Sequence, residues 1–284
     1  MNILTFDIEE WFHLLDHPAT SDESKWACFP SRFEKNMDRI FRLLEENQVG
    51  ATFFCLGWTA EKYPAQIQKI SKLGYEVACH SSRHKLAYEQ TPEEFEQDFL
   101  DAQSAIESAS GVRVNTYRMP GFSLTNDSLW TLDVLAKLGV DIDCSVFPAS
   151  RGHGGLPNLP VSGPFRIKTK QGVLIRELPL NTVSFLGSRF VFSGGGYFRL
   201  CPLWALRRFY ARSDYVMSYF HPRDFDSEQP RLPKLGPIRY FKSYYGLSGA
   251  EEKLRELLKT VRFTDVRTSV MNIAWDSTPI IQLH

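Results

Sequence analysis

Ile3-Leu4-Thr5-Phe6-Asp7-Ile8-Glu9-Glu10 is a short apolar run that ends on acids. Ile3 to Phe6 has the length and composition of a buried strand, and Asp7 and Glu9 alternate beyond it on one side of the extended chain. The same pattern recurs downstream. Ala51–Leu56, Tyr75–Cys79, Asn115–Arg118, Asp141–Cys144 and Tyr215–Phe220 are further expected strands, several of them ending on a polar residue. Helical stretches separate them: Ser31, read with Glu34 as a capping box, opens one to about Gln48; others are about Ala60–Leu73, about Pro92–Ser108, Asp127–Leu138 and Pro202–Ala211. Thr91-Pro92-Glu93-Glu94 has a cap, a first-turn proline and a glutamate three residues after the cap.

Regular alternation of strand and helix predicts a parallel sheet or barrel. The middle of the chain departs from it. Gly152–Gly163 reads as loop, and Phe165–Leu180 alternates like an antiparallel pair turning near Gln171-Gly172. Val183–Phe192 reads as one more strand, Gly194–Gly196 as a loop and Pro222–Tyr245 as irregular. Ser248 with Glu251 is read as a capping box for a helix ending near Val261, and Phe263–Thr268 as the last strand. The expected fold class is α/β, a distorted (β/α)7–8 barrel with an antiparallel β insertion around 165–192, in one domain spanning 1–284.

The chain has 284 residues, long enough for one α/β barrel with a large core. Lys plus Arg and Asp plus Glu are 33 each, which gives no electrostatic reason to expect nucleic acid. Five cysteines without a C-x-x-C pair read as free thiols in a reducing compartment. No leader and no membrane span are recognisable, so the expectation is a cytoplasmic protein. Leu203–Phe209 sets apolar bulk beside two arginines. A helix packed on the barrel is the preferred reading, with peripheral membrane contact the alternative.

Four polar clusters fall at predicted strand ends: Asp7 to Glu10, His80 with His84, Arg118-Met119-Pro120, and His221. In βα barrels that edge collects catalytic groups. His80 and His84 are spaced to share one face of a helical turn and reach one ion. Two histidines and one carboxylate leave ligand positions open, and a second carboxylate can take a proton from water. Surface histidines on a loop and a solvated acidic turn are the plainer alternatives.

Thr5–His13, His80–His84, Arg118–Ser123, Asp143–Pro148, Gly194–Arg199, Ser218–Pro222 and the Tyr244–Phe263 stretch together resemble the NodB-like polysaccharide deacetylases, carbohydrate esterase family 4. They are most similar to a branch found in exopolysaccharide and O-antigen gene clusters. The resemblance runs through almost the whole chain in order. It implies a metal-dependent hydrolase that removes the N-acetyl group from an acetamido sugar in a bacterial surface-glycan precursor. The implied roles are Asp7 as general base, His80 and His84 as metal ligands, Arg118 as partner of the base and His221 as general acid. Many members of the family carry two adjacent aspartates; here Ile8 stands second, so the third ligand falls to Glu9, with Glu10 as the weaker candidate.

The implied cofactor is a divalent metal, Zn2+ first, with Co2+ or Ni2+ as alternatives. The implied partner is an N-acetylated sugar on a nucleotide- or lipid-linked precursor, met at the inner face of the membrane. Trp11, His13, Pro120, Phe122, Asp143, Gly195 and Tyr197 are candidate substrate contacts, and Asp143 or Asp224 the candidate acid beside His221. Two other functions stay open: an allantoinase-like hydrolase of a small amide, and a non-catalytic glycan-binding relative.

Overall fold

The structure is a computed structural model that describes residues 1–15, 17–150, 152–185 and 188–283. The first strand, β1 (Asn2–Ile8), is buried from Ile3 onward because its neighbours cover both faces. After it come α1 (Phe33–Asn47), β2 (Thr52–Cys55), α2 (Gly57–Lys62), α3 (Pro64–Lys72), β3 (Glu76–Cys79), α4 (Pro92–Ser110), β4 (Thr116–Tyr117), α5 (Trp130–Lys137) and β5 (Ile142–Asp143). The second part holds β6 (Phe165–Lys168), β7 (Leu174–Glu177), β8 (Val183–Phe185), β9 (Ser188–Phe190), α6 (Gly195–Leu200), α7 (Leu203–Arg212), β10 (Val216–Phe220), α8 (Pro237–Tyr244), α9 (Leu247–Leu258), α10 (Val266–Asn272) and β11 (Ile280–Gln282).

The main sheet has nine strands in the order β10-β1-β2-β3-β4-β5-β7-β6-β11. Strands β10 and β1 through β5 run parallel, and β7 continues in parallel from β5 before pairing antiparallel with β6. This is the expected α/β architecture, a distorted barrel whose ladder stays open between β10 and β11 among the described residues. β1 sits between β2 and β10, so groups leaving its C-terminal end face those leaving both neighbours. Leu4, Phe6, Phe53 and Phe220 join the helix faces of α1, α4 and α9 in the largest core cluster.

Several boundaries differ from expectation. Ser31 does not cap α1; its hydroxyl donates to Glu10 Oε1 at 2.5 Å, and Arg32 occupies the cap position. The expected helix Ala60–Leu73 is two helices broken at Tyr63, because Pro64 disfavours helical backbone in the residue before it. Asp127–Leu138 opens as a 3-10 turn at Asn126–Ser128 before α5 begins. Thr91 does form its capping box with Glu94. Ser248 lies inside α9, whose start is set by Gly246 at φ +71°. The expected last strand makes one bridge, Thr264 to Ile3; Asp265 then accepts from Thr268 N at 2.6 Å and starts α10 instead. Pro222–Tyr245 contains a 3-10 turn and α8. The antiparallel insertion is two units: β6–β7 within the main sheet and β8–β9 as a separate ladder. Val183–Phe192 therefore holds two strands, with 186–187 outside the described residues.

Among the described residues, no helix is long and apolar enough to cross a membrane. The α7 helix packs through Ala205, Leu206 and Tyr210, while Trp204 stays exposed. All five cysteines are free, and Cys55, Cys79 and Cys144 are buried.

Glu76 is buried at the start of β3, where its carboxylate accepts from Thr52 Oγ1 at 2.6 Å and Arg267 N at 2.7 Å. Burial raises its pKa to about 7. Because the folded value lies above the unfolded one, the stability it contributes is full below about pH 4.5 and is lost as pH rises through about 7. Glu76→Gln keeps the acceptor without the charge. Urea titrations from pH 4.5 to 8 should show the variant gaining up to roughly 3 kcal/mol on the parent as pH rises. Parallel profiles would refute this account of Glu76.

Candidate active site

The four polar clusters do meet, at the C-terminal edge of the sheet. Asp7 and Glu9 leave the end of β1, His80 follows β3, Arg118 follows β4 and His221 follows β10. Glu9 Oε1 lies 3.2 Å from His80 Nε2 and 3.0 Å from His84 Nε2. These three donors lie close enough together to hold one metal ion. His80 Nδ1 is 2.8 Å from the Arg118 carbonyl, which can only accept. That bond makes Nδ1 the donor on that side and leaves Nε2 as the nitrogen facing Glu9, free to serve as a ligand once it carries no proton. Burial alone would raise the Glu9 pKa, but His84, His221 and His80 hold it well below the usual carboxylate range. Glu9 is therefore a charged, buried donor between two imidazoles.

The route by which His84 gets there differs from expectation. Residues 80–86 are not a helical turn. Ser81 and His84 adopt left-handed backbone, at φ +75° and +58°, and fold the segment back on itself. Asp98 from α4 accepts from Ser82 N and Arg83 N, while the N-terminus of α2 donates to the Ser81 and Ser82 carbonyls. Sequence reading missed Asp98 because its partners are backbone groups remote in the chain.

Glu10 points elsewhere, into bonds with Ser31, Tyr63 and the Arg32 N–H. The geometry thus separates the two adjacent glutamates.

Arg118 is wholly buried. Its Nη1 donates to Asp7 Oδ1 and Thr5 Oγ1, each at 2.7 Å, and its Nε to the Cys144 carbonyl at 3.3 Å. Its guanidinium also lies over the Phe54 ring at 3.9 Å. Across the site, His221 Nε2 is 3.9 Å from Asp7 Oδ2 and 3.8 Å from Glu9 Oε1. Its Nδ1 donates to Asp224 Oδ2 at 3.0 Å. Of the two candidate acids beside His221, Asp224 is the one in place. Burial would lower the His221 pKa, but Glu9, Asp224 and Asp7 together carry it up to about 9. Asp224 is buried as well, and Arg199 and His221 keep it ionised. Arg199, the end of Gly194-Gly195-Gly196-Tyr197-Phe198-Arg199, was not singled out from sequence. It spends its other donors on the Tyr245, Lys242 and Ser243 carbonyls.

The other predicted contacts divide. His13, Phe122, Gly195 and Tyr197 line a cleft of about 420 Å³ together with the ligand set and His221. The Gly194–Gly196 run is not a plain loop: it opens α6, and a Cβ on Gly194 would meet the Tyr219 carbonyl at 2.1 Å. His13 accepts from Glu10 N through Nδ1, while its buried Nε2 has no hydrogen bond among the described residues. Burial and His84 push its pKa down to about 3. Trp11 does not reach the cleft; it packs with Phe12 and Phe29 and donates to the Pro30 carbonyl. Pro120 is buried behind Gly121 and Phe122, which face the cleft. Asp143 is buried outside the cleft, accepting from Ser145 Oγ at 2.5 Å. Burial raises its pKa and, still further, that of neighbouring Glu177, so the pair retains a proton.

Residues 17–142 match the family model described as Polysaccharide deacetylase, and residues 144–271 one described as a domain of unknown function, DUF3473. The chain is 31% identical over 142 residues to a chitooligosaccharide deacetylase of Bradyrhizobium sp. (strain ANU 289), covering 49% of this chain and 63% of that protein. It is 31% identical over 97 residues to a bifunctional xylanase/deacetylase of Pseudobutyrivibrio xylanivorans, covering 34% and 16%. The matches therefore span less than two thirds of these relatives' length. Among solved structures, a provisionally named polysaccharide deacetylase from Mycobacterium smegmatis aligns with a TM-score of 0.61 over 95% of this chain and 88% of that one, at 17% identity. A CE4 family pseudoenzyme from Bacillus anthracis aligns at 0.52 over 100% and 69%, at 12% identity. Both likenesses concern the fold.

Removing the Arg118 charge should leave Asp7 buried without its hydrogen-bonded counter-charge, with only His221 nearby at 3.9 Å. We expect Arg118→Met to cost about 3–5 kcal/mol of stability. Adding Asp7→Asn should recover at least about 1 kcal/mol of that loss. Urea denaturation of the parent, both single variants and the double measures the coupling; strictly additive losses would show that the pair does not act as one unit.

Proposed function

We propose that this chain, which belongs to the polysaccharide deacetylase family through residues 17–142, is a metal-dependent hydrolase that removes the acetyl group from an N-acetylated sugar unit of a bacterial surface-glycan precursor. The observation that carries this reading is the placement of two proton-handling groups on a three-donor metal set. Asp7 and His221 stand beside Glu9, His80 and His84, with their side-chain atoms 3.9 Å apart.

Two imidazole nitrogens and one carboxylate oxygen, with the His80 tautomer fixed from behind, fit a divalent ion, zinc first and cobalt or nickel as alternatives. Bound there, it would supply Lewis-acid polarisation of the acetyl carbonyl and lower the pKa of water. Asp7, held by Arg118, takes a proton from the attacking water as its oxygen bonds to the acetyl carbon. Pro120 has no N–H and the Phe122 N–H is bonded to the Met119 carbonyl, so the Gly121 N–H is the backbone donor left for the developing oxyanion. His221, oriented by Asp224, gives its proton to the nitrogen as the C–N bond breaks. Acetate and a free amino sugar leave.

The test joins metal content to acetate release. Protein loaded with zinc, cobalt or nickel, or stripped with EDTA, is assayed on chitooligosaccharides and N-acetylglucosamine derivatives. Metal-dependent acetate release is expected, falling by roughly 10²–10⁴-fold in Asp7→Asn and His221→Ala. His80→Ala should lose both metal and activity. Bound metal with ureide hydrolysis and no acetate would instead establish the small-amide reading. Sugar binding without any hydrolysis would establish the binding-only one.

A further inference from the structure

The chain as a whole is electrically balanced, but its cleft is not. Three carboxylates line it, and each already has a partner. Asp7 has Arg118, Asp224 has Arg199, and Glu9 sits among the imidazoles of the metal set. The same cleft is also lined by Arg223, Arg239 and Lys242. Arg199 is committed entirely to Asp224 and to backbone carbonyls. Arg223 is different. Its Nε donates to Gln229 at 2.9 Å, but its two terminal nitrogens have no hydrogen bond and no carboxylate partner among the described residues. Burial pulls its pKa below the usual arginine value even though Asp224 and Glu9, which it does not touch, act from a distance to raise it. Lys242, exposed on α8, has no ion pair among the described residues either. Arg239, one turn earlier on α8, reaches the Leu15 carbonyl and brings α8 against the segment after β1.

Arg223 lies two residues beyond His221, in the 3-10 turn Pro222–Phe225, and lines the same cleft as Asp7, Glu9 and His221. A surplus of cations in a concave, partly enclosed site raises the local concentration of anions. A forked guanidinium with free terminal donors matches a phosphate oxygen pair, and a lysine adds a point charge beside it.

We propose that Arg223 and Lys242 bind an anionic phosphate group attached to the acetamido sugar. The cleft would then select a sugar phosphate or diphosphate over the neutral sugar. This rests on the deacetylase reading for the identity of the sugar, but not for the anion site itself. Two sources share the chemistry: a soluble nucleotide-linked sugar and a lipid-diphosphate-linked one. The second is included because Ile238 and Phe241 leave the outer side of α8 apolar and exposed.

The experiment compares N-acetylglucosamine 1-phosphate with N-acetylglucosamine on the whole, metal-loaded chain, by calorimetric binding and by kcat/KM for acetate release. We expect the phosphate ester to bind at least about tenfold tighter, as charge-assisted bonds to an anion allow. The preference should fall about tenfold or more in Arg223→Gln/Lys242→Gln. Lys242→Gln alone changes an exposed side chain and should show a partial loss, which guards against misfolding at Arg223. Lys259→Gln, an exposed lysine outside the cleft, should keep the full preference. Equal binding of the two sugars, or a preference untouched by the double variant, overturns the proposal. Preferential binding without acetate release would sink the deacetylase reading and leave the anion site standing; acetate release without preference would do the reverse. Repeating the comparison with uridine diphosphate N-acetylglucosamine and with a polyprenyl-diphosphate-linked sugar in vesicles assigns the source to whichever loses more affinity in the double variant. No loss with either also overturns the proposal.

Discussion

A guanidinium buried with no access to solvent must find its counter-charge inside the protein, and Arg118 does so through Nη1 and Nε, with Nη2 left without a hydrogen bond among the described residues, in a way that assembles the site. Its side chain binds Asp7 and Thr5 of β1 and the carbonyl of Cys144 after β5, while its own carbonyl fixes the tautomer of His80 after β3. One residue therefore ties together strand ends from three parts of the sheet. Two of the groups it orients are the proposed base and a proposed ligand. Such a network is costly when incomplete, which makes the relative position of Asp7 and His80 a condition of folding and not only of function.

The opposite wall repeats the device. Arg199 neutralises Asp224, and Asp224 orients His221 through Nδ1, leaving Nε2 facing Asp7 and Glu9. Arg199 gets its position from α6, which is able to start where it does because Gly194 has no Cβ to strike the Tyr219 carbonyl. Gly194 is thus a steric requirement for the support of His221. Each proposed proton-handling group has a buried arginine behind it, which is why the cations left over, at Arg223 and Lys242, bear on what enters from solvent.

What was legible in the sequence follows from how local the signal is. The parallel strands are continuous apolar runs because helices cover one face and a second core cluster inside the barrel covers the other, so β1 to β5 and β10 could be read directly, and the strand-end residues Asp7, His80, Arg118 and His221 with them. Caps were legible where the side chain stands at the cap position itself. Thr91 does so on α4, whereas Ser31 stands one residue before the cap of α1, donating to Glu10 and accepting from Phe33 N. The C-terminal segment failed for a related reason: Phe263–Thr268 has strand composition, but Asp265 bonding Thr268 N turns the chain into α10. Choosing between Glu9 and Glu10, or between Asp143 and Asp224, required tertiary contacts, since adjacent acids at a strand end have identical local context. Trp11 and Asp143 were misplaced because aromatic and acidic residues near a site serve its packing and buried hydrogen bonding as readily as its substrate.

Fold likeness alone cannot carry the activity. The same fold at a TM-score of 0.52 includes a CE4 family pseudoenzyme, and 17% identity to a structure at 0.61 transfers no chemistry. What bears on this chain is whether its own side chains converge, and the replacement of a second aspartate by Ile8 is the sharpest question. An isoleucine cannot ligate, but Ile8 turns into the core, and the Glu9 N–H, bonded back to the Asp7 carbonyl at 3.1 Å, turns the chain at the end of β1 so that Asp7 and Glu9 both face His221. Moving the carboxylate from the adjacent position to the next but one, and lengthening it by a methylene, restores a donor 3.0–3.2 Å from both imidazoles. The departure in sequence is compensated by the turn at the end of β1, and three donors still converge.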